Sequence, residues 1–449
     1  MGALPGQPAK SSRRHDPAMK TVLIIAFHFP PYGAGSGILR ILKFCRFLPE
    51  VGWKSVVLTA NCRAYERTDP TLLSQIPPGT PVVRAFALDT QRHLSVRGRY
   101  VRWMALPDRW VNWTLAAATK GVYQIRKHKV DVILSTYPIA TAVLIGLILH
   151  TLTRKPLVVD FRDSMTEEDY PTDRLTRRLY RWIEKKAVKR AARLIFTARS
   201  TVKMYRKRYP WLTSEKCLLI PNGYDEEDFQ WITRRGTLPV CQDRPIRLLH
   251  LGLIYPSERD PRPFFGALSR LKKDGKVDAA NLRVELRASG SESFYAQILR
   301  ELDIDDIVLL LPPLPYPAAI REAAGSDGLL LLQAANCDHQ IPAKAYEYLR
   351  LGRPILALTS HSGDTAALLK EIGGATVIDL ANEQAISEAL PDFLAALRRG
   401  EHPVADLNRV QKYARSQQAL MLAECLSEIA LAVRDAPRSE PDPLVGSKS

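Results

Sequence analysis

Cysteine is sparse in this chain and forms no recognisable pairs. Six cysteines in 449 residues stand at positions 45, 62, 217, 241, 337 and 425, with no CxxC and no histidine at metal-ligand spacing. That pattern excludes a disulfide framework and a zinc knuckle, and it fits reduced thiols in a cytoplasmic protein. Long apolar runs are missing too. The longest, residues 139–149, is far short of the ~20 residues that cross a bilayer, so no transmembrane anchor is expected. The opening MGALPGQPAKSSRRHDPAMK lacks the apolar core of a signal peptide. Residues 1–18 are therefore expected to be a disordered leader, with Met1 or Met19 as the start. Absent as well are GxxxxGK[ST], GxSxG, HExxH and any Asp-rich cluster. A P-loop ATPase, a nucleophile elbow and a zincin site are thereby excluded, and no metal or other cofactor is expected.

What is present begins with charge and size. Sixty-four Lys and Arg against 47 Asp and Glu leave a formal charge of +17, which calls for anionic partners: phosphorylated substrates, an acidic membrane surface or nucleic acid. A chain of this length, 46% hydrophobic, exceeds what one core usually organises. Short β-branched runs alternate with amphipathic helix-length segments from residue 21 onward, the pattern of parallel sheets built through crossovers. Seven strands start near residues 21, 55, 82, 131, 156, 193 and 217; six more start near 246, 282, 307, 327, 354 and 376. The expected organisation is a doubly wound α/β domain over 19–235, a second over 236–404, a closing helix over 405–433 returning toward the first domain, and a disordered tail over 434–449. Ligands in such sheets collect where loops leave the carboxyl ends of strands, so a cleft between facing domains is expected.

The first such loop, FHFPPYGAGSGILR over 27–40, carries Gly33, Gly35 and Gly37 between a strand and a helix, where backbone amides can approach a ligand closely. GxGxxG spacing is not met, and the second strand ends in Thr59-Ala60-Asn61 instead of a ribose-binding acid, which argues against a dinucleotide site. A plain tight turn satisfies the same residues. A later loop, 252–262, sets Arg259 and Arg262 in front of a helix near Pro261; guanidinium forks suit a diphosphate, although surface arginines read the same. Lys344 and Glu347 share one face of the helix after Pro342, as a cleft pair or as a solvent-facing ion pair.

Taken in order, FPPYGAGSG, LVVDFRDSM (157–165), IPNGYDEEDF (220–229), HLGLIYPSERDPRPFFGAL (250–268) and IPAKAYEYLRLGRPILAL (341–358) resemble family 4 of the retaining glycosyltransferases, in the branch that makes bacterial surface polysaccharides. The resemblance runs from about residue 21 to 433. It implies the GT-B fold, two Rossmann-like doubly wound domains facing across a cleft. It also implies a nucleotide-sugar donor held by the C-terminal domain, an acceptor met by the N-terminal domain, and front-face transfer with retention and no metal. On the donor it implies Gly35, Gly252, Arg259, Arg262, Ile341, Lys344 and Glu347, with Glu347 as the second acid of a paired-glutamate motif holding the ribose. His339 stands where the first acid belongs, and Leu253 where relatives often carry a basic residue. Asp163, beside Arg162, is implied to orient the acceptor hydroxyl or stabilise an oxocarbenium-like state, while an Arg162–Asp160 structural pair is the plainer alternative. Arg259 and His28 complete the catalytic set, though a lone histidine is more often packed. Asn222 and Gly223 are placed at the hinge.

Two basic, aromatic stretches remain. Residues 99–117 mix Arg with Trp103, Trp110 and Trp113, and residues 172–193 form a basic helix with Leu175, Leu179, Trp182 and Ile183 on one side. An anionic membrane surface and ordinary docking on the protein's own sheet both explain them. The expected function is thus glycosyl transfer to a lipid-linked or polysaccharide-precursor acceptor on the cytoplasmic side of a membrane, with no nucleic-acid partner. A GT-B nucleotide-sugar epimerase and a basic nucleic-acid-binding protein are the competing readings.

Overall fold

The computed structural model describes residues 19–33, 36–232 and 239–435. The expected leader, Gly35 and the expected tail beyond 435 lie outside them. Among the described residues, thirteen strands form two sheets. The first holds β1 (Lys20–Ile25), β2 (Trp53–Ala60), β3 (Val82–Ala85), β4 (Val132–Thr136), β5 (Leu157–Phe161), β6 (Arg193–Phe196) and β7 (Cys217–Leu219). The second holds β8 (Ile246–Leu251), β9 (Leu282–Arg287), β10 (Val308–Leu311), β11 (Gly328–Leu332), β12 (Ile355–Leu358) and β13 (Ala375–Ile378). Every pairing is parallel. Parallel strands need both faces covered, and the central ones comply: β4, β5, β11 and β12 are buried at every position.

The covering helices are α1 (Leu39–Phe47), α2 (Thr90–His93), α3 (Trp113–Lys127), α4 (Ala140–Thr153), α5 (Arg174–Arg190) and α6 (Arg199–Arg208) in the first unit. In the second unit they are α7 (Arg262–Lys273), α8 (Glu292–Glu301), α9 (Tyr316–Ala324), α10 (Ala343–Leu351), α11 (Asp364–Ile372), α12 (Glu383–Arg399) and α13 (Leu407–Val410). The long apolar run is the start of α4, which is buried under α3 and α5; a helix apolar nearly all round belongs in a core. No helix among the described residues is long and apolar enough to cross a membrane.

Strand order is β3-β2-β1-β4-β5-β6-β7 in one sheet and β10-β9-β8-β11-β12-β13 in the other. Each order reverses once, between β1 and β4 and between β8 and β11. The crevices at these switch points are where such sheets hold ligands. The segment after β1 shares a cavity with those after β8 and β11.

The chain crosses between the units twice. At Gly223 an added Cβ would stand 1.9 Å from the Tyr413 carbonyl oxygen, so only glycine lets the two crossings touch. They pair there: Arg415 N donates to Tyr224 O at 2.9 Å, and Tyr224 bridges Ala414 in parallel. Tyr224, Phe229 and Ile232 already pack in the second core. The last helix, α14 (Arg415–Asp435), returns to the first: Ala419, Leu422, Leu426 and Ile429 are buried against β1, β4 and α1.

Candidate active site

Gly252 ends β8 with φ +90, a left-handed turn that favours glycine. A Cβ there would lie 3.1 Å from both Cε and Nζ of Lys344, so the lysine head rests against bare backbone. Lys344 opens α10 just past the N-cap Pro342. Burial and the neighbouring Arg259 drop its pKa to about 7, with Glu347 pulling the other way. Arg259 lies over the Tyr255 ring and donates from Nη1 to Leu253 O at 3.1 Å. One turn along α10, Glu347 accepts from the Tyr316 hydroxyl at 3.0 Å. Its partner is thus a tyrosine from the start of α9. Burial raises the Glu347 carboxyl above its usual range, against the opposing pull of Tyr316, Arg415 and Lys344.

Gly252, Lys344, Glu347 and Tyr316 line a cavity of about 870 Å³ between the units. They form its floor on the second unit; Ile38, Leu42 and Tyr32 face them from the first. A smaller cavity, about 210 Å³, adjoins it through Ala343 and gathers Asp163, Arg162, Asn222, Arg259 and Ile341. Gln333 also lines this cavity. Its amide nitrogen donates to Cys337 O and Gln340 O, both at 2.9 Å, while its buried Oε1 has no partner among the described residues. A buried acceptor left open beside a cavity marks a place where a bound group can donate.

Asp163 opens onto this small cavity. Its side chain is open to the cleft, yet the protein packed around it desolvates the carboxyl and raises its pKa, Arg162 opposing. The alternative Arg162–Asp160 pair does not form. Asp160 is buried against Arg40, which reaches both carboxylate oxygens at 3.1 Å and also donates to the Ile220 and Pro221 carbonyls. Arg162 instead donates to Gly37 O at 2.7 Å. His28 stacks on Tyr32 with ring centres 4.3 Å apart, and burial beside Arg162 lowers its pKa to about 3. It is a neutral imidazole behind the cleft wall.

The structure therefore joins Gly252, Lys344 and Glu347 in one cavity and Asp163, Arg259, Ile341 and Asn222 in the next. It leaves Arg262 apart: largely exposed at the start of α7, its guanidinium pairs with Asp260 at 2.6 Å. Gly223 is packed into the crossing and reaches neither cavity. Sequence reasoning passed over Tyr316, Gln333 and the buried Arg415. Only Tyr316 had a local signal, the proline-rich loop LPPLPYP after β10.

At the position expected to hold an acid, His339 Nε2 meets Glu167 Oε1 of the first unit at 2.8 Å. That contact, with Asp163 and Asp364 adding to it, raises the imidazole pKa. Beside it, Thr201 donates to His339 O, and Ser200 donates from N and Oγ to Asp364.

Two parallel doubly wound units facing across a crevice define the GT-B architecture. Residues 39–223 match the sequence model of the glycosyl transferase 4-like domain. No curated protein matches the chain. Among solved structures it is similar to sucrose-phosphate synthase from Thermosynechococcus elongatus, at 13% identity over 92% of this chain and 100% of that one, TM-score 0.63. It is also similar to Anabaena HepE in complex with UDP and glucose, at 16% identity over 91% and 100%, TM-score 0.61. A UDP-N-acetylglucosamine 2-epimerase shares the fold at 14% identity over 95% and 99%, with a lower TM-score of 0.51.

Proposed function

We propose that this protein is a glycosyltransferase that moves a sugar from a nucleotide-sugar donor, with retention, to a lipid-linked or polysaccharide-precursor acceptor at the cytoplasmic face of a membrane. The observation that carries the reading is the joint placement of Gly252, Lys344 and Glu347 at the second sheet's switch point, with Arg259 beside them. A diphosphate fits there between two cations and a glycine backbone, and a ribose hydroxyl fits against a carboxylate already oriented by Tyr316. The domain match over 39–223 and the UDP held by HepE support the same reading.

In this arrangement the donor lies along α10. Lys344 and Arg259 hold the diphosphate and neutralise the charge that grows on it as the glycosidic bond breaks. Asp163 faces that bond from the first unit, where it orients the acceptor hydroxyl or stabilises positive charge on the sugar ring. Proton transfer from the acceptor to the departing phosphate, on the same face, gives retention without a dedicated base. We assign the protein no metal or cofactor.

A thermal-shift screen against UDP, GDP, ADP and dTDP sugars tests the reading, since ligand binding to the native state raises the melting temperature by mass action. At least one nucleotide should stabilise the parent and not the Glu347→Gln variant. Stabilisation by none would overturn it. Conversion of a nucleotide sugar without acceptor would favour the epimerase instead.

A further inference from the structure

α5 carries eight basic residues and a single acid, and it sorts them by face. The acid, Glu184, is fully buried, taken up by Thr166, Tyr205, Tyr209 and Arg208. Tyr180, Ile183, Ala187 and Val188 are buried with it, so one side of the helix docks on the protein as any surface helix does. That docking does not use the whole apolar stripe. Leu175 and Trp182 point outward, Trp182 at 51% exposure, among the exposed Arg174, Arg178, Arg181, Lys185 and Lys189.

Two more indoles extend this face. Trp103, 70% exposed, is held at the helix start by the ion pair of its neighbour Arg102 with Asp173. Trp211, 54% exposed, lies further along under the Lys185 ammonium, 5.9 Å from its ring centre. Three exposed tryptophans beside a row of cations are costly in water. They match the interfacial zone of a bilayer, where indoles sit at headgroup level and each Lys or Arg gains from anionic lipid. The row runs along a helix about 25 Å long, from seventeen residues at 1.5 Å each. A flat anionic sheet meets such a row along its whole length.

We propose that the outward face of α5, with Trp103 near its start and Trp211 beside Lys185, docks this protein on an anionic phospholipid bilayer. The loop from Asp163 runs directly into the start of α5, so the Trp103 end of the surface lies at the edge of the sheet that borders the cleft. An acceptor held in the membrane then enters on the Asp163 side. Docking itself is independent of the transfer reaction and is measured without nucleotide.

The test is co-sedimentation of the full chain with vesicles of phosphatidylglycerol and phosphatidylcholine against pure phosphatidylcholine, at low and high salt. The parent should bind only the anionic vesicles and be released by salt. Arg178→Glu/Arg181→Glu and Trp103→Ala/Trp182→Ala should each lower partitioning at least ~10-fold. Lys273→Glu/Lys276→Glu, an equal charge change at exposed sites on the second unit, should retain it. Melting curves on all three variants separate docking from folding. Equal binding to both vesicle types, variants that bind like the parent, or equal loss in the control would each overturn the proposal. So would single-stranded RNA that binds the same face and displaces the vesicles, which would make nucleic acid its partner.

Discussion

Burial and a hydrogen bond pull the Glu347 carboxyl in opposite directions: desolvation raises its pKa, while Tyr316, Arg415 and Lys344 favour the charged form. Glu347→Gln keeps the shape and loses the charge. A hydrogen bond to a charged group contributes ~1.5–3 kcal/mol, so nucleotide affinity should fall roughly 10- to 150-fold by calorimetry, with folding intact. Lys344 is the complementary case. With its pKa near 7 it is partly neutral before a diphosphate arrives, and the bound phosphates favour the cation. Binding near pH 7–8 should therefore take up protons, and affinity should fall as pH rises through about 7. Titration in buffers of different ionisation enthalpy measures the uptake, which should vanish in Lys344→Met. Asp163→Asn separates chemistry from donor binding: nucleotide affinity should stay within about twofold while transfer drops at least ~100-fold. A fully active variant would return Asp163 to a structural role.

Between residues and domains stand the crossing segments. Gly223 sits where the outgoing and returning chains touch, with the Tyr413 carbonyl and the Gln418 amide in the space a side chain would take. Gly223→Ala must push two backbone segments apart. Overpacking of this kind costs about 1–3 kcal/mol, so the denaturation midpoint should fall and the helix docked by this crossing, α14, should lose hydrogen-exchange protection first. Protection lost uniformly across both sheets would show instead that the crossing is an inseparable part of one core. α10 shows the same dependence on neighbours. Its N-terminus is exposed to the cleft only because β11 and β12 place it beside the switch point, and Gly252 leaves room for Lys344.

Across the whole molecule the cleft is bridged by side chains from both units, among them His339 to Glu167 and Asp364 to Ser200. His339 has a raised pKa, so its charged contact is fully present below the ordinary histidine value and is lost as pH rises through the raised one. The closed arrangement should accordingly be favoured at lower pH. Small-angle scattering should detect a rise in the radius of gyration at higher pH, abolished in Glu167→Gln. A pH-independent radius in the parent would remove the bridge from domain closure.

Strand placement was legible without any coordinates, because a buried parallel strand is a short apolar run bounded by turn residues and that is a local property of the chain. All thirteen runs read from the sequence became strands, and their alternation with helices implied two doubly wound sheets. The glycine and Lys344–Glu347 loops were legible for the same reason, since a turn residue and a helix start are written within a few positions. What pairs with what was not. Asp160 had Arg162 two residues away but bonds Arg40, and Arg262 bonds Asp260 while Arg259 reaches the cavity. Glu347 takes Tyr316 from another helix, and Glu167 meets His339 across the cleft. Likewise the apolar side of α5 read as one stripe until packing buried Ile183 and left Trp182 outside. Sequence by itself determined the elements and the loops that leave them, because these follow from periodicity and turn chemistry over a few residues. Only the tertiary structure decided the partners, because these join residues far apart in the chain, and their distances exist only once both sheets have folded against each other.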